Sequence, residues 1–371
     1  MTSTTDGEQV LLRAAERRKT AEWLAAHQQT SGEILWSKDG KSDPWDHVHA
    51  AMGLAALERI DAAKAAYRWL ASVQEPSGAF AAERVGGHVT RVTQETNHAA
   101  YVATGLWHLY CAQPDVDFLA ELWPCVERAI DWVVSLQLPS GAIAWASKNG
   151  KVWHAPLVTG SSSIHGSLVC ALRIAERLDE NRPSWRAALR RLSRVLRHDL
   201  AAFGDTDLPE PPGRYSMDWY YPVLGGALRG HSGRARLCDP EWVAAFLERG
   251  VGCRCVRDQP WYTVAESCEL VLAMDALGLR DQAREMFGWT RAQRTPDGAY
   301  WTGATHPEGI IFPEGEQTTW TASAVILAQD AISGKSATSA FFRELAGAEF
   351  EAVRERHHRH PYEEVPTQPA E

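Results

Sequence analysis

The stretch WVVSLQLPSGAIAW, residues 132–145, carries the pattern that decides the fold. An amphipathic segment ends at Gln137, and Gly141 and Trp145 follow it across a polar turn. Similar phrases occur at 23–36, at 69–80 and, with one extra residue in the turn, at 289–301. Glycine suits the positive φ of such a turn, and a glutamine amide can bond groups that a helix end leaves open. The copies therefore predict a structural repeat, not a catalytic motif.

A second, more apolar helix is predicted after each turn. Six such helices start at Asp46, Asn97, Ser163, Asp218, Glu266 and Thr319, at intervals of 51, 66, 55, 48 and 53 residues. A helix that is apolar all round must be buried, and the first and last of the six are as apolar as the others. An open solenoid would instead need polar terminal repeats. The pattern predicts an all-α fold, an (α/α)6 toroid.

The predicted organisation is one toroid domain over residues 10–335. Residues 1–9 are predicted as a disordered N-terminus, and residues 336–371 as a polar tail, partly helical or disordered. The formal net charge of −9 argues against nucleic acid or an anionic membrane as the main partner. No apolar run of roughly 18 residues indicates a transmembrane helix, and the polar N-terminus lacks a signal core. We therefore expect a cytoplasmic protein, either monomer or homodimer, with a small-molecule substrate.

The turns at residues 28, 74, 137 and, loosely, 293 resemble the repeats of squalene and terpene cyclases and of protein prenyltransferase β subunits. The segment QTTWTASAVILA, residues 317–328, is similar to the inner helix that follows such a repeat in the cyclases. The resemblance implies a toroid with an aromatic central cavity that holds an isoprenoid. The chemical motifs of that family are not matched, because Trp45 in SDPWDHV stands where the cyclases have their central acid. No Asp-Asp dipeptide and no Asp-x-Cys motif occurs either.

The starts of the inner helices converge at one rim of a closed ring. The residues there that are predicted to be catalytic are Asp46, His49, Asp218 and Glu266. Those predicted to bind substrate are His47, Asn97, His98, His165, Tyr220, Tyr221, Trp261, Trp301 and Trp320. No metal and no other cofactor is predicted.

Spacing supports the catalytic set. Asp46 and His49 are three residues apart on a helix face, near enough to pair for acid–base chemistry, and Asp218 and Tyr221 repeat that spacing. Glu266, among apolar and small residues, is predicted to be a buried proton donor. Helix capping alone offers a simpler interpretation of five of the starting residues, namely Asp46, Asn97, Ser163, Asp218 and Thr319.

Three functions remain open from the sequence. The main hypothesis is a prenyltransferase-like or terpene-cyclase-like enzyme that acts on an isoprenoid, with Asp46 or Glu266 as the acid and the aromatic rings stabilising a cation. The alternative is a carbohydrate-active (α/α)6 enzyme, a glycoside hydrolase or an epimerase. It would use histidines or two carboxylates from Asp46, Asp218 and Glu266. A non-catalytic toroid that binds a ligand is the third possibility.

Overall fold

The computed structural model describes residues 10–38, 40–204 and 212–347. The predicted N-terminal segment, residues 1–9, lies outside them, as do residues 348–371 of the predicted tail. In the described residues, helices follow one another as outer and inner partners. The pairs are α1 (Ala14–Ala25) with α2 (Pro44–Ala56), α3 (Ile60–Ser72) with α4 (Thr96–Ala112), α5 (Val116–Ser135) with α6 (Val158–Arg177), α7 (Pro183–His198) with α8 (Met217–Leu224), α9 (Gly230–Leu237) and α10 (Pro240–Phe246) with α11 (Val264–Ala276), and α12 (Arg280–Trp289) with α13 (Thr319–Ser333).

The inner helices form a closed ring. Each packs against the next inner helix along the chain, and α13 returns to pack against α2. Every residue of α2 is buried, whereas its outer neighbour α3 buries only Ala63, Ala66, Tyr67 and Leu70. This is the (α/α)6 toroid predicted from the apolar inner segments. No helix among the described residues is both long enough and apolar enough to span a bilayer.

Short antiparallel sheets lie at the end of the ring where the inner helices begin, which we call the mouth. They connect loops of successive repeats, so that Lys41 pairs with Val85 across two loops. The first contains β1 (Lys41–Ser42), β2 (Glu83–Val85) and β3 (His88–Arg91), and the second β4 (Gln94–Glu95), β5 (Ala146–Lys148) and β6 (Lys151–Trp153). The third contains β7 (Leu247–Glu248), β8 (Gly252–Arg254), β9 (Trp261–Thr263) and β10 (Gly303–Thr305). These loops border the starts of the inner helices.

The repeated Gln–Gly turns hold neighbouring outer helices together. Gln137 Nε2 donates to Gly141 O at 2.8 Å and to Ala188 O, in the next outer helix, at 2.9 Å. Gln28 and Gln74 bond in the same way to the carbonyls of Ala62 and Cys125. The glutamine thus stabilises its own turn and also binds the next repeat. The repeated sequence pattern alone does not reveal this second contact.

A short helix, α14 (Phe341–Gly347), covers the opposite end of the ring, which we call the far end. Its Phe341 ring lies 5.0 Å from that of His108 in α4, and its Arg343 forms an ion pair with Asp275 at the end of α11. Phe341 and Leu345 are each only 2% exposed. This part of the predicted polar tail therefore packs on the ring, while the domain boundaries stay a prediction.

Candidate active site

Asp46 lies in the first turn of α2 and is 8% exposed. The cap of this helix is Asp43, whose Oδ1 accepts the Asp46 backbone N–H at 2.9 Å. The Asp46 carboxyl is therefore not needed for capping. Burial, reinforced by the charge of Asp43, raises the pKa of Asp46 well above its ordinary value. Such a carboxyl keeps its proton where an ordinary aspartate has lost it, which suits a general acid.

The capping interpretation is wrong for all five residues to which it applied. The N-cap positions of the inner helices are one to six residues earlier, and they are held by Asp43, Glu95, Leu157, Ser216, Thr263 and Thr318. Thr318, for example, accepts the N–H of Thr321 at 3.0 Å. The side chains of Asp46, Asn97, Ser163, Asp218 and Thr319 are left for other contacts.

Glu266 occupies the first turn of α11 and is 4% exposed. The hydroxyl of Thr263, the N-cap residue, donates to its Oε2. This bond fixes one carboxyl oxygen and thus the orientation of the group. Glu266 is buried, as its apolar and small neighbours in the sequence predicted.

Glu269 was missed by the sequence analysis. It follows Glu266 by one helical turn and is fully buried. Tyr220 donates to its Oε2 at 2.6 Å, and Tyr221 donates to its Oε1 at 2.8 Å. Burial raises the pKa of Glu269 to about 7, and the two tyrosine hydroxyls act against this shift. The sequence contained one signal for Glu269, because it is a second glutamate, three residues after Glu266, in a segment predicted to be a mostly apolar inner helix.

The relative positions of Asp46 and Glu266 follow from the contact between His49 and Glu269, which lie one helical turn further from the mouth on the same two helices. His49 Nε2 of α2 lies 3.9 Å from Glu269 Oε1 of α11, so these two helices present one face each to the same central space. Residues three apart share a helix face, and both helices start at the mouth. Asp46 and Glu266 therefore lie one turn nearer the mouth, on the faces that carry His49 and Glu269.

A stacked aromatic pair lies beside Asp46. The rings of Trp45 in α2 and Tyr101 in α4 have centroids 4.1 Å apart and planes only 9° apart. Tyr221 and His98 flank Trp45 at 6.0 Å and 6.3 Å. Neither Trp45 nor Tyr101 was among the predicted site residues, because Trp45 was compared only with the acid of the cyclases.

Two of the predicted substrate-binding histidines contact outer helices instead of the centre. His47 Nε2 lies 3.0 Å from Ala66 O in α3, and its Nδ1 accepts the N–H of Ile34. His165 bonds Gly225 O and, in α7, Ser193 Oγ. Burial lowers the pKa of both imidazoles to about 4, so they are neutral at neutral pH. Their contacts join the two layers of the toroid.

The Asp218 carboxylate is occupied by structural hydrogen bonds. Its Oδ1 accepts from the N–H and the hydroxyl of Thr159, and its Oδ2 accepts from Gly213 N–H at 2.9 Å. The expected pairing with Tyr221 does not form, because that phenol bonds Glu269. The expected pairing of Asp46 with His49 does not form either, since His49 Nδ1 bonds Ser323 Oγ at 2.8 Å.

The other predicted residues lie around the mouth. His98 Nε2 is 3.5 Å from Glu95 Oε2, and Asn97 precedes it in the first turn of α4. Trp261 in β9 stacks on Phe312, with ring centroids 4.3 Å apart. Trp301 and Trp320 are partly exposed there. Of these side chains, Trp320 lies beside Glu269 and favours the ionised form of that carboxyl.

No protein-family model matches the chain. A relative, the MMP endo-(1,4)-3-O-methyl-alpha-D-mannosidase of Mycolicibacterium hassiacum, is 42% identical over 326 residues, which are 88% of each chain. Among solved structures, a glycosidase in complex with glucose has a TM-score of 0.67 at 14% identity and covers 93% of this chain and 100% of its own. A D-mannose isomerase has a TM-score of 0.66 at 12% identity, covering 90% and 98%. The GH63 mannosylglycerate hydrolase of Thermus thermophilus has a TM-score of 0.60 at 13% identity, covering 85% and 99%. At such low identity, the solved structures support the fold alone.

These similarities overturn the expected isoprenoid chemistry. The resemblance to terpene cyclases and prenyltransferases rested on the Gln–Gly turns, whose glutamines bond outer helices such as α5 and α7. Those turns carry no information about the centre of the ring. The prediction of a cyclase-type or transferase-type enzyme acting on an isoprenoid is therefore wrong. The expectation of an enzyme is supported, and the carbohydrate alternative agrees with the relatives.

Proposed function

The chain belongs to the family of the M. hassiacum mannosidase, and on that premise we propose that it is a glycoside hydrolase that cleaves internal α-mannosidic bonds between 3-O-methylated mannose units. The observation that carries the proposal is the pair of buried carboxyls, Asp46 and Glu266, in the first turns of two inner helices. Two carboxyl groups around one bond are what most glycoside hydrolases use. Asp218 does not complete this pair, because its oxygens are already bonded to Thr159 and Gly213.

Asp46 is assigned as the acid. Its proton passes to the glycosidic oxygen while the bond between that oxygen and the anomeric carbon breaks. Glu266 then has one of two tasks. It takes a proton from a water whose oxygen bonds the anomeric carbon, or it attacks that carbon itself and forms an ester that water later hydrolyses. The configuration of the first product released, followed by NMR, distinguishes the two routes.

The aromatic pair Trp45 and Tyr101 supports a methylated sugar as substrate. A methyl ether replaces a hydroxyl donor with an apolar group, and the remaining oxygen can only accept a hydrogen bond. Aromatic faces and edges accommodate such a group at less cost than a buried polar atom would, since no donor is left unpaired. The pair lies beside Asp46, where the sugar at the cleaved bond would sit.

An isomerase or epimerase built on histidines receives less support. His47 and His165 bond atoms of the outer layer, and His49 bonds Ser323. Burial lowers the pKa of His49 to about 3, which makes it a poor base near neutral pH. Carboxyls are thus better placed than these imidazoles to act on a sugar.

The test is hydrolysis of a 4-linked oligosaccharide of 3-O-methyl-α-D-mannose, with products identified by mass spectrometry. We expect Asp46→Asn and Glu266→Gln each to lower kcat/KM by about 10²- to 10⁴-fold, because each removes a proton-transfer group. Their unfolding midpoints should stay near that of the wild type.

Asp218→Asn is the matched control. It changes another acid of an inner-helix first turn, but one whose oxygens serve Thr159 and Gly213. We expect it to lose stability and to keep kcat/KM at temperatures where it is folded. Full activity of Asp46→Asn, or an equal loss in Asp218→Asn, would contradict the assignment. Cleavage of unmethylated mannan alone would retain the hydrolase and change the substrate class.

A further inference from the structure

A second polar cluster lies directly beneath the proposed reacting pair. It consists of His49, Tyr220, Tyr221 and Glu269, and we call it the buried cluster. Each carboxyl oxygen of Glu269 accepts one phenolic hydroxyl. A cavity of about 20 Å³ adjoins it and is closed from below by Phe342 and Leu345. The cluster is therefore separated from bulk water on the side away from the mouth.

Hydrogen bonding determines the state of His49. The hydroxyl of Ser323 donates to Trp320 O at 2.9 Å, so its oxygen is left to accept from His49 Nδ1 at 2.8 Å. His49 then carries its proton on Nδ1 and turns the lone pair of Nε2 towards Glu269. Burial lowers the pKa of this imidazole to about 3, so it adds no positive charge at neutral pH.

The groups that face Glu269 include no compensating cation among the described residues. They are Glu266 on its own helix, Tyr220 and Tyr221 on α8, Asp46 and His49 on α2, and Tyr101 on α4. The contacts from α13, Ser323 and Trp320, are uncharged. Two hydroxyl donors favour the ionised form of Glu269. The carboxyl of Asp46 lies against that of Asp43, and the charge of Lys41 offsets this repulsion only in part. Once the pH exceeds the Glu269 pKa of about 7, the negative charge therefore lies on Glu269 while the proton stays on Asp46.

We infer that Glu269 is a positioning residue for the proposed hydrolysis: its carboxylate, fixed by Tyr220 and Tyr221, adds to burial and to the charge of Asp43 in keeping Asp46 in the protonated form that acts as the acid. The inference rests on the proposed function and adds to it a residue that touches neither the bond nor the attacking water. A like charge nearby disfavours ionisation of a carboxyl, and the effect is strong where water is excluded. Glu269 thus extends the range of pH over which Asp46 can donate.

The first test is the pH profile of kcat/KM, which reports the ionisation of groups in the free enzyme. Glu269→Gln keeps the size of the side chain and removes its charge. We expect the alkaline limb to move to lower pH by up to about one unit, while kcat/KM on the acid side stays within about tenfold of the wild type. Asp330→Asn is the control, because Asp330 is a buried acid near the far end of α13, where its carboxyl accepts from the hydroxyls of Ser336 and Thr338. It should leave the limb in place. An unmoved limb in Glu269→Gln, or a loss of activity that is equal at every pH, overturns the inference.

A second measurement needs no substrate. The infrared C=O band of protonated Asp46 is identified as the band that Asp46→Asn removes, and its titration is then followed in Glu269→Gln. We expect the band to disappear at lower pH than in the wild type, and an unchanged titration overturns the inference. If the methylated oligosaccharide is not cleaved, the proposed function fails while this titration still decides the role of Glu269.

Tyr220→Phe covers the case in which Glu269→Gln does not fold. It removes the donor to Oε2 and leaves the carboxyl in place. The charged form of Glu269 is then less stabilised, so its own infrared band should persist to higher pH. An unchanged band would mean that the phenols do not hold the charge, which would contradict the inference.

Discussion

The periphery and the centre of the mouth are both built by repetition, but they use it in opposite ways. At the periphery, Gln28, Gln74 and Gln137 make the same two hydrogen bonds in three successive repeats. At the centre, the first turns of the inner helices present different side chains, among them Asp46, His98 and Glu266. The periphery repeats because each turn has the same task, joining one outer helix to the next. In the proposed function, the centre varies because its side chains converge on one asymmetric substrate.

The difference explains where similarity between proteins is informative. A peripheral motif can persist in toroids with unrelated chemistry, since it only requires a neighbouring helix. A central residue has meaning only with its partners across the ring. The Gln–Gly turns therefore predict the architecture, whereas the proposed reaction depends on the carboxyls at the centre.

The strongest test of the peripheral role is Gly78→Ala. Gly78 has a φ of +96°, and an added Cβ would lie 2.1 Å from the carbonyl oxygen of Arg128. We expect a loss of about 4 kcal/mol of unfolding free energy, because the backbones must separate as well as accept the strained φ. Urea unfolding measures it.

Gly87→Ala is the matched control for that change. Its φ is +81°, and no atom lies within 4 Å of the added Cβ. Only the conformational cost remains there, about 1 kcal/mol. Equal losses in the two variants would show that the contact between repeats contributes nothing.

The role of Glu269 at the centre can be tested by the pH dependence of the unfolding free energy. The pKa of Glu269 is raised from 4.5 in the unfolded chain to about 7 in the folded one, so the folded protein binds this proton more tightly. Its contribution to stability is complete below pH 4.5 and is lost as the pH rises through 7, by up to about 3 kcal/mol. We expect Glu269→Gln to lose less stability than the wild type between these pH values, measured by urea unfolding at each. Parallel curves for the two proteins would exclude a buried, titrating Glu269.

The smallest expected effect compares two copies of the same turn. Gln137→Ala removes the bonds to Gly141 and Ala188 and should cost about 1 kcal/mol. In the fourth copy Arg294 takes the place of that glutamine, four residues before Gly298, and its guanidinium donates to Glu16 O in α1 at 3.0 Å. Gln293 lies one residue earlier, outside that position. Gln293→Ala should therefore change the unfolding free energy less. A reversed order would mean that the glutamine bonds do not stabilise the repeat.

The sequence predicts the toroid well because its determinants are local. A glutamine, a glycine and an aromatic residue within one turn are visible in any copy, and an inner helix shows itself by apolar composition. The direction of each inner side chain is not local. All thirteen residues of α2 are buried. The helix therefore has no solvent-exposed side whose polar residues would indicate how it is rotated about its axis.

Neighbouring residues on one helix illustrate the consequence. Asp46 and His47 are adjacent, yet Asp46 shares its face with His49, which contacts Glu269, and His47 contacts Ala66 in the outer layer. Successive residues of a helix point about 100° apart, so only the packing of the whole ring selects which of them face inward. For the same reason Glu269 and Tyr101, in apolar stretches without a motif, could not be identified before the fold was known.

The cover that α14 places over the far end also constrains the kinetics. With Phe341, Phe342 and Leu345 buried there, the described residues close the far end of the ring, so that a polymer cannot be threaded through them. Whatever enters must leave by the same side. A slowly departing fragment then occupies the position of the next molecule to be bound, and we expect the inhibition by reaction products to be competitive.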